Sequence, residues 1–171
     1  LNNLDGERYV LGMRNSGAEQ TGAFILDALG IDYANKFNLA YMGYGASASA
    51  LQDGNIVGMN VPAGAPVTSI TQAYAQLAGR MRVLNFSQQE MDAVNAQYPL
   101  WDFYDLAPGT YPYQDEVVTT ASSPNVFVVR DDVPEEIVYQ LTRLLWDNLA
   151  TLQEIHSATK QMSIEDALKG N

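Results

Sequence analysis

Tyr9-Val10-Leu11-Gly12-Met13 is a short apolar run that breaks at Arg14-Asn15-Ser16-Gly17, and Phe24, Ile25, Ala28 and Leu29 then recur at helical spacing up to Gly30. An apolar run of about five residues bounded by turn formers predicts a buried strand, and the recurrence after it predicts an amphipathic helix. The stretch therefore reads as strand, turn, helix. The next segments repeat the pattern. Phe37 to Met42 reads as a strand, Ala46 to Gln52 as a short helix stopped by Gly54, and Ile56 to Val61 as another strand. Pro66 then sits in the first turn of a helix carrying Val67, Ile70, Tyr74 and Leu77, and Met81 to Phe86 supplies a further strand. Strands that alternate with helices imply an α/β domain whose mainly parallel sheet is flanked by helices.

Beyond Phe86 the alternation fades. Ser87 and Glu90 have the spacing of a capping box for a helix that Pro99 stops, and the aromatic stretch Trp101 to Tyr104 comes next. Leu106 to Pro124 is rich in Pro, Gly, Thr and Ser, with Val117 and Val118 its only aliphatic pair, and reads as a loop plus a crossing strand. Asn125 to Arg130 is strand-like again. Asp132 with Glu135 then predicts the cap of one long helix whose Ile137, Val138, Leu141, Leu144, Leu145, Leu149, Leu152 and Ile155 form an apolar stripe. So wide a stripe needs a partner surface, and the helices before it already cover the first sheet. No fixed-period repeat or low-complexity tract is visible.

Composition narrows the function. The chain has 171 residues and is 47% hydrophobic, enough for one ordinary core but not for two full-sized domains. Nine Lys plus Arg stand against 20 Asp plus Glu, a net charge of -11. That leaves no basic face for nucleic acid, and the acidity repels an anionic bilayer. No apolar run approaches the roughly 20 residues of a membrane-spanning helix, so direct membrane insertion is not expected. The absence of cysteine rules out disulfides and thiolate metal sites and leaves the compartment open. Leu1 is not preceded by a secretory signal, so trimming at this end is expected.

Two turns are candidate ligand contacts. Asn15-Ser16-Gly17-Ala18 joins a strand end to a helix start, where unpaired backbone N–H groups and the helix dipole favour an anion. The alternative is that Ser16 caps the helix together with Glu19, whose carboxylate would compete with a bound anion. Arg14, beside the turn, could fork onto a ligand carboxylate or stand solvated at the surface. Ala63-Gly64-Ala65-Pro66 repeats the arrangement with small residues that let a ligand approach the backbone. Tyr111 and Tyr113 flank Pro112, with rings that stack on a ligand or shield a hinge. His156 is the only histidine, and the chain has no GxSxG elbow, P-loop, dinucleotide fingerprint, HExxH or cysteine cluster. No catalytic residue, metal ligand or cofactor site is predicted, and the chain does not read as an enzyme.

The order of several segments resembles the solute-binding subunits of TRAP transporters of the TAXI type. They are Asn15-Ser16-Gly17-Ala18 leading to Ile25-Leu26-Asp27-Ala28-Leu29-Gly30, Ala50-Leu51-Gln52-Asp53-Gly54-Asn55-Ile56, and Ala63-Gly64-Ala65-Pro66. Pro108-Gly109-Thr110-Tyr111-Pro112-Tyr113-Gln114, the stretch from Asp132-Val133-Pro134-Glu135 to Leu141-Thr142, and His156-Ser157-Ala158 continue the series. Three positions depart from it. The family's Gly-Ser-Gly-Thr turn is Asn15-Ser16-Gly17-Ala18 here, its Asp-Ala after Asp-Gly-x-Ile is Val57-Gly58, and the glycine expected after Tyr111-Pro112 is Tyr113.

The resemblance implies a periplasmic-binding-protein-like, type II architecture: a two-lobed extracytoplasmic clamp that closes on a small organic anion, an amino acid or dicarboxylate. The clamp hands the solute to the membrane permease subunits of a TRAP transporter. It also implies residues 1–8 as a lead-in from a first lobe, 9–116 as lobe two, 117–124 as a crossing hinge strand and 125–171 as a segment returning to lobe one. The ligand would meet Arg14, Asn15, Ser16, Gly17, Ala18, Gly64, Ala65, Pro66 and Tyr111. A ligand-sensing regulatory domain on the same scaffold is the alternative, because fold does not fix function.

Overall fold

The computed structural model describes residues 3–168. Leu1, Asn2 and residues 169–171, at the outer ends of the expected lead-in and C-terminal segments, lie outside the described residues. The chain forms two compact units, Leu1–Ser122 and Ser123–Asn171.

The first unit runs β1 (Arg8–Gly12), α1 (Gly17–Ala28), α2 (Tyr33–Lys36), β2 (Asn38–Tyr41), α3 (Tyr44–Gln52), β3 (Gly58–Met59), α4 (Thr68–Leu77) and α5 (Gln88–Asn95). It ends with β4 (Asp102–Leu106) and β5 (Val118–Ser122). Strands β2, β1 and β3 form a three-stranded sheet in that order, with both neighbours parallel to β1. The α/β architecture with a parallel sheet flanked by helices is therefore as the sequence predicts.

The residues of β1 make it the central strand. Val10 and Leu11 are each 1% exposed, and alternation sends them to opposite faces. Val10 packs with Ala40 and Ile56, backed by Ala50 and Leu51 of α3. Leu11 packs with Leu26 of α1 and with Phe37. A strand covered on both faces must be apolar at successive positions, which is what Tyr9 to Met13 displays. Gly58, where the resembled family carries alanine, has no room for more than hydrogen, because a Cβ there would lie 2.7 Å from the Tyr9 ring. That ring is stacked on Phe37, with centroids 5.0 Å apart.

Several predicted elements differ. The strand expected over Ile56 to Val61 is regular only at Gly58–Met59, although Val57 N–H and Asn60 N–H extend the pairing by donating to the Arg8 and Val10 carbonyls. Met81 to Phe86 is not a strand, because side chains take the place of a ladder. Val83 N–H donates to the Tyr74 hydroxyl, Thr119 N–H donates to Asn85 Oδ1, and the Phe86 N–H alone reaches a β5 carbonyl, that of Thr119. The aromatic stretch at Trp101 opens β4, which pairs antiparallel with β5 from Asp102↔Ser122 to Leu106↔Val118. Pro66 does not open a helix. Val67 is extended, at φ -92° and ψ 124°, so α4 begins at Thr68.

In the second unit Asn125 to Arg130 is not a strand, since the unit offers no other strand to pair with among the described residues. The predicted long helix is two, α6 (Glu135–Asp147) and α7 (Leu149–Ile155). Asn148 separates them at φ -109° and ψ 16°, its side-chain amide donating to the Leu144 carbonyl beside its own backbone N–H. Nor does Asp132 cap α6. Its carboxylate pairs with Arg130, and the N-cap position is Pro134 without a side-chain bond. Ile137, Tyr139, Leu141 and Leu144 stand exposed along α6.

The Ser87–Glu90 capping box is present as predicted: Ser87 Oγ accepts from Glu90 N–H, and Glu90 Oε2 accepts from Ser87 N–H and Oγ–H. The backbone bond from Ser87, followed by its hydroxyl, holds the Glu90 carboxyl below its ordinary value. A carboxyl depressed by folding stabilises the fold above its unfolded pKa, and the contribution is lost as pH falls through the folded value. Ser87→Ala should cost about 1 kcal/mol of unfolding free energy at neutral pH. In urea titrations the gap from wild type should narrow as pH falls through and below the carboxyl range.

Candidate functional site

With strand order β2-β1-β3, the chain leaves β1 for one neighbour and then crosses to the other. The loops after β1 and β3 diverge at such a switch point, at the carboxyl edge of the sheet, where open α/β sheets leave a crevice. The turn Asn15 to Ala18 comes after β1 and the turn Gly64 to Pro66 after β3, so both leave neighbouring parallel strands at this same edge.

The first turn is built by its own side chains. Asn15 adopts φ 60°, a left-handed conformation that asparagine tolerates better than most residues. Ser16 Oγ–H donates to the Met13 carbonyl at 2.6 Å, and the same oxygen accepts from Glu19 N–H at 3.2 Å. The Glu19 carboxylate accepts from Asn15 N–H. Of the two sequence readings of Ser16, the capping geometry is thus present, and Glu19 occupies an amide that an anion would use.

Arg14 stands exposed with its guanidinium 3.8 Å above the centroid of the Tyr41 ring, at the end of β2. This cation–π contact lays the planar fork along the carboxyl edge.

The second turn is different. Gly64 and Pro66 are exposed, and Ala65 is half-buried. Helix α4 has no side-chain cap, so none of its first amides is taken by a side chain as Glu19 N–H is by Ser16 at α1. The Val67 N–H instead donates to the hydroxyl of Tyr111 at 3.2 Å. Tyr111 does not line the edge. It is 4% exposed, in a core cluster with Ile70, Tyr74 and Leu106, and stacked on Tyr74 at 5.1 Å. Burial pushes its phenol pKa up, opposed by the Val67 bond. What Tyr111 does here is hold the start of α4.

Residues that sequence reasoning passed over complete the edge. Helix α3 lies after β2 and also begins without a side-chain cap, at Gly43. Tyr44, its first residue, donates its hydroxyl to the Pro62 carbonyl at 3.1 Å, joining the loops after β2 and β3. Burial raises the Tyr44 phenol pKa, which keeps it a neutral donor. Asn60 Nδ2 donates to the Ala18 carbonyl at 2.7 Å and the Leu11 carbonyl at 3.4 Å, joining the loop after β3 to the first turn of α1. A polar residue directly after a glycine-containing strand was the available signal for Asn60. Tyr44 gave none. Buried Gln114 supports the loop that carries Tyr111, its Oε1 accepting from Tyr111 N–H and its Nε2 donating to the Leu106, Ala107 and Glu116 carbonyls.

A depression of about 400 Å³ lined by Asp5, Asp32 and Lys36 lies at the amino ends of the strands. The Lys36–Asp5 ion pair at 2.6 Å and the Asn35 amide on the Asp32 carboxylate already occupy its charges, and the switch-point geometry favours the opposite edge. Among the described residues no cluster of His, Cys, Asp and Glu is arranged to hold a metal ion, and no helix is long and apolar enough to cross a membrane.

The parallel three-stranded sheet flanked by helices is that of a periplasmic-binding-protein-like domain. The chain belongs to the NMT1-like family, whose model matches residues 1–171, and the role that comes with it is solute or ligand binding. No curated protein matches the chain.

The Tyr111 and Gln114 contacts give a ranked expectation. Tyr111→Phe should lower stability by about 1 kcal/mol, whereas Gln114→Leu, which strands several buried backbone groups, should cost about 2 to 3 kcal/mol. Urea unfolding should show both as shifts in midpoint without a change in slope.

Proposed function

We propose that the chain is part of an extracytoplasmic solute receptor that captures a small organic anion, an amino acid or a dicarboxylate. It delivers that solute to the membrane subunits of a TRAP-type transporter of the TAXI kind. The action is capture by closure of two lobes about a hinge, not turnover, and no catalytic group, metal or cofactor takes part.

One observation carries this reading: the turns after β1 and β3 leave adjacent parallel strands at one carboxyl edge, with Arg14 of the first held over Tyr41 at the end of β2. The proposed contacts are Arg14, Asn15, Ser16, Gly17 and Ala18 on one side and Gly64, Ala65 and Pro66 on the other, with Tyr111 fixing the second from behind. Family membership supports the binding role, and the ordered series of segments from Asn15 to Ala158 supports the TAXI kind.

Titration calorimetry of the full-length protein against amino acids and dicarboxylates tests it. At least one should bind with unit stoichiometry and be recovered chemically unchanged. Replacing Arg14 by glutamine should weaken that binding about 10- to 100-fold, as expected for loss of a charged hydrogen bond. Absence of binding across the panel, or conversion of the bound solute, would overturn the reading.

A further inference from the structure

We propose that Asn60 is the positioning residue of the carboxyl edge: its side-chain amide sets where the first turn of α1 stands relative to β1 and β3. The inference deepens the proposed function and rests on it for the effect on binding, though not for the effect on the turn.

Three independent features converge on one close contact. Asn60 is fixed by its backbone, its N–H donating to the Val10 carbonyl at 2.8 Å, so its side chain leaves from a defined point beside the central strand. From there Nδ2 reaches the Ala18 carbonyl at 2.7 Å, in the first turn of α1, and the Leu11 carbonyl at 3.4 Å, in β1. Second, α1 carries glycine where this amide lies, since a Cβ on Gly22 would come within 2.8 Å of Asn60 Nδ2 and 3.0 Å of the Leu11 side chain. Third, Gly12, at φ 139°, lets the end of β1 approach so closely that a Cβ would meet Ala18 Cβ at 2.7 Å and Glu19 N at 2.9 Å. The helix start is thus drawn onto the sheet edge by two glycines that remove obstruction and one amide that supplies attraction.

The chemistry calls for an amide. A carboxylate in its place would face two carbonyl oxygens with no proton to donate, and leucine has similar volume but no donor at all. Aspartate regains a donor only when protonated, which gives the proposal a signature that loss of packing does not produce.

The test reads two quantities on the full-length protein. Hydrogen exchange at the Glu19 and Gln20 amides, with Val10 and Ala40 as core references, reports the turn. Calorimetry with the amino acid or dicarboxylate that binds best reports the site. Asn60→Asp and Asn60→Leu should each speed exchange at Glu19 and Gln20 about tenfold relative to the core references, and weaken binding by a similar factor. On acidification, exchange corrected for its intrinsic pH dependence should return toward wild type for Asn60→Asp and not for Asn60→Leu. Should either variant fail to fold, Gly22→Ala, which keeps the amide and crowds it, should move the same amides. Unchanged protection at Glu19 and Gln20, or equal acid behaviour of the two variants, would overturn the proposal. Altered protection with unaltered affinity would leave Asn60 as the positioning residue of the turn and count instead against the turn as a ligand contact.

Discussion

Strand β1 is hydrogen-bonded on both sides and covered on both faces, and the rest of the first unit is arranged to meet that constraint. Because Val10 and Leu11 point to opposite faces and neither reaches water, helices must lie above and below the sheet. The chain therefore passes from β1 through α1 to β2 and then through α3 to the far side of β1. That double crossing makes the carboxyl edge of β1 the place where neighbouring loops part. The form of that edge follows from the burial of two side chains, not from the residues along it.

How this edge could receive a negative group is decided by which helix starts are already satisfied. At α1 the hydroxyl of Ser16 takes the Glu19 amide, and the carboxylate of Glu19 takes that of Asn15. An approaching carboxylate would meet Glu19 first, and like charges at one helix start repel. The α3 and α4 starts carry no side-chain cap, and the dipole of each remains available. Arg14 is the cation of the edge, steadied by Tyr41 and not by a carboxylate. The attraction for an anion is therefore weighted toward Arg14 and the β2 and β3 sides, away from the turn that the sequence marks most clearly.

Periodicity in the sequence was enough to place β1, α1, β2 and α3, because a strand buried on both faces and a one-sided helix each leave a local pattern. The Ser87–Glu90 box was equally legible, being a contact between residues three apart. What escaped was long-range and polar. Met81 to Phe86 has the composition of a strand, but its Val83 and Phe86 amides are met by the Tyr74 hydroxyl and the Thr119 carbonyl, and its Asn85 side chain accepts from Thr119 N–H, partners that no local pattern links to it. Pro66 looked like a helix opener, yet Val67 is held extended with its amide on Tyr111, 44 residues away. At Asn148 the helix breaks within a continuous apolar stripe, with the side-chain amide on the Leu144 carbonyl, a change that hydrophobic spacing does not encode.

The same distinction separates the two candidate turns. The conformation of Asn15 to Ala18 is set by bonds between Met13 and Glu19, and its place against the sheet by Asn60, so neither depends on the loop that carries Tyr111. The approach to α4 is set by Tyr111, which depends in turn on Gln114 and on a loop beside β5. Moving that loop would shift the start of α4 while leaving α1 in place, since the strongest tie across the edge, from Asn60 to Ala18, begins before the loop that leads to α4. A displacement at β5 would thus reach the α4 side of the carboxyl edge and not the α1 side.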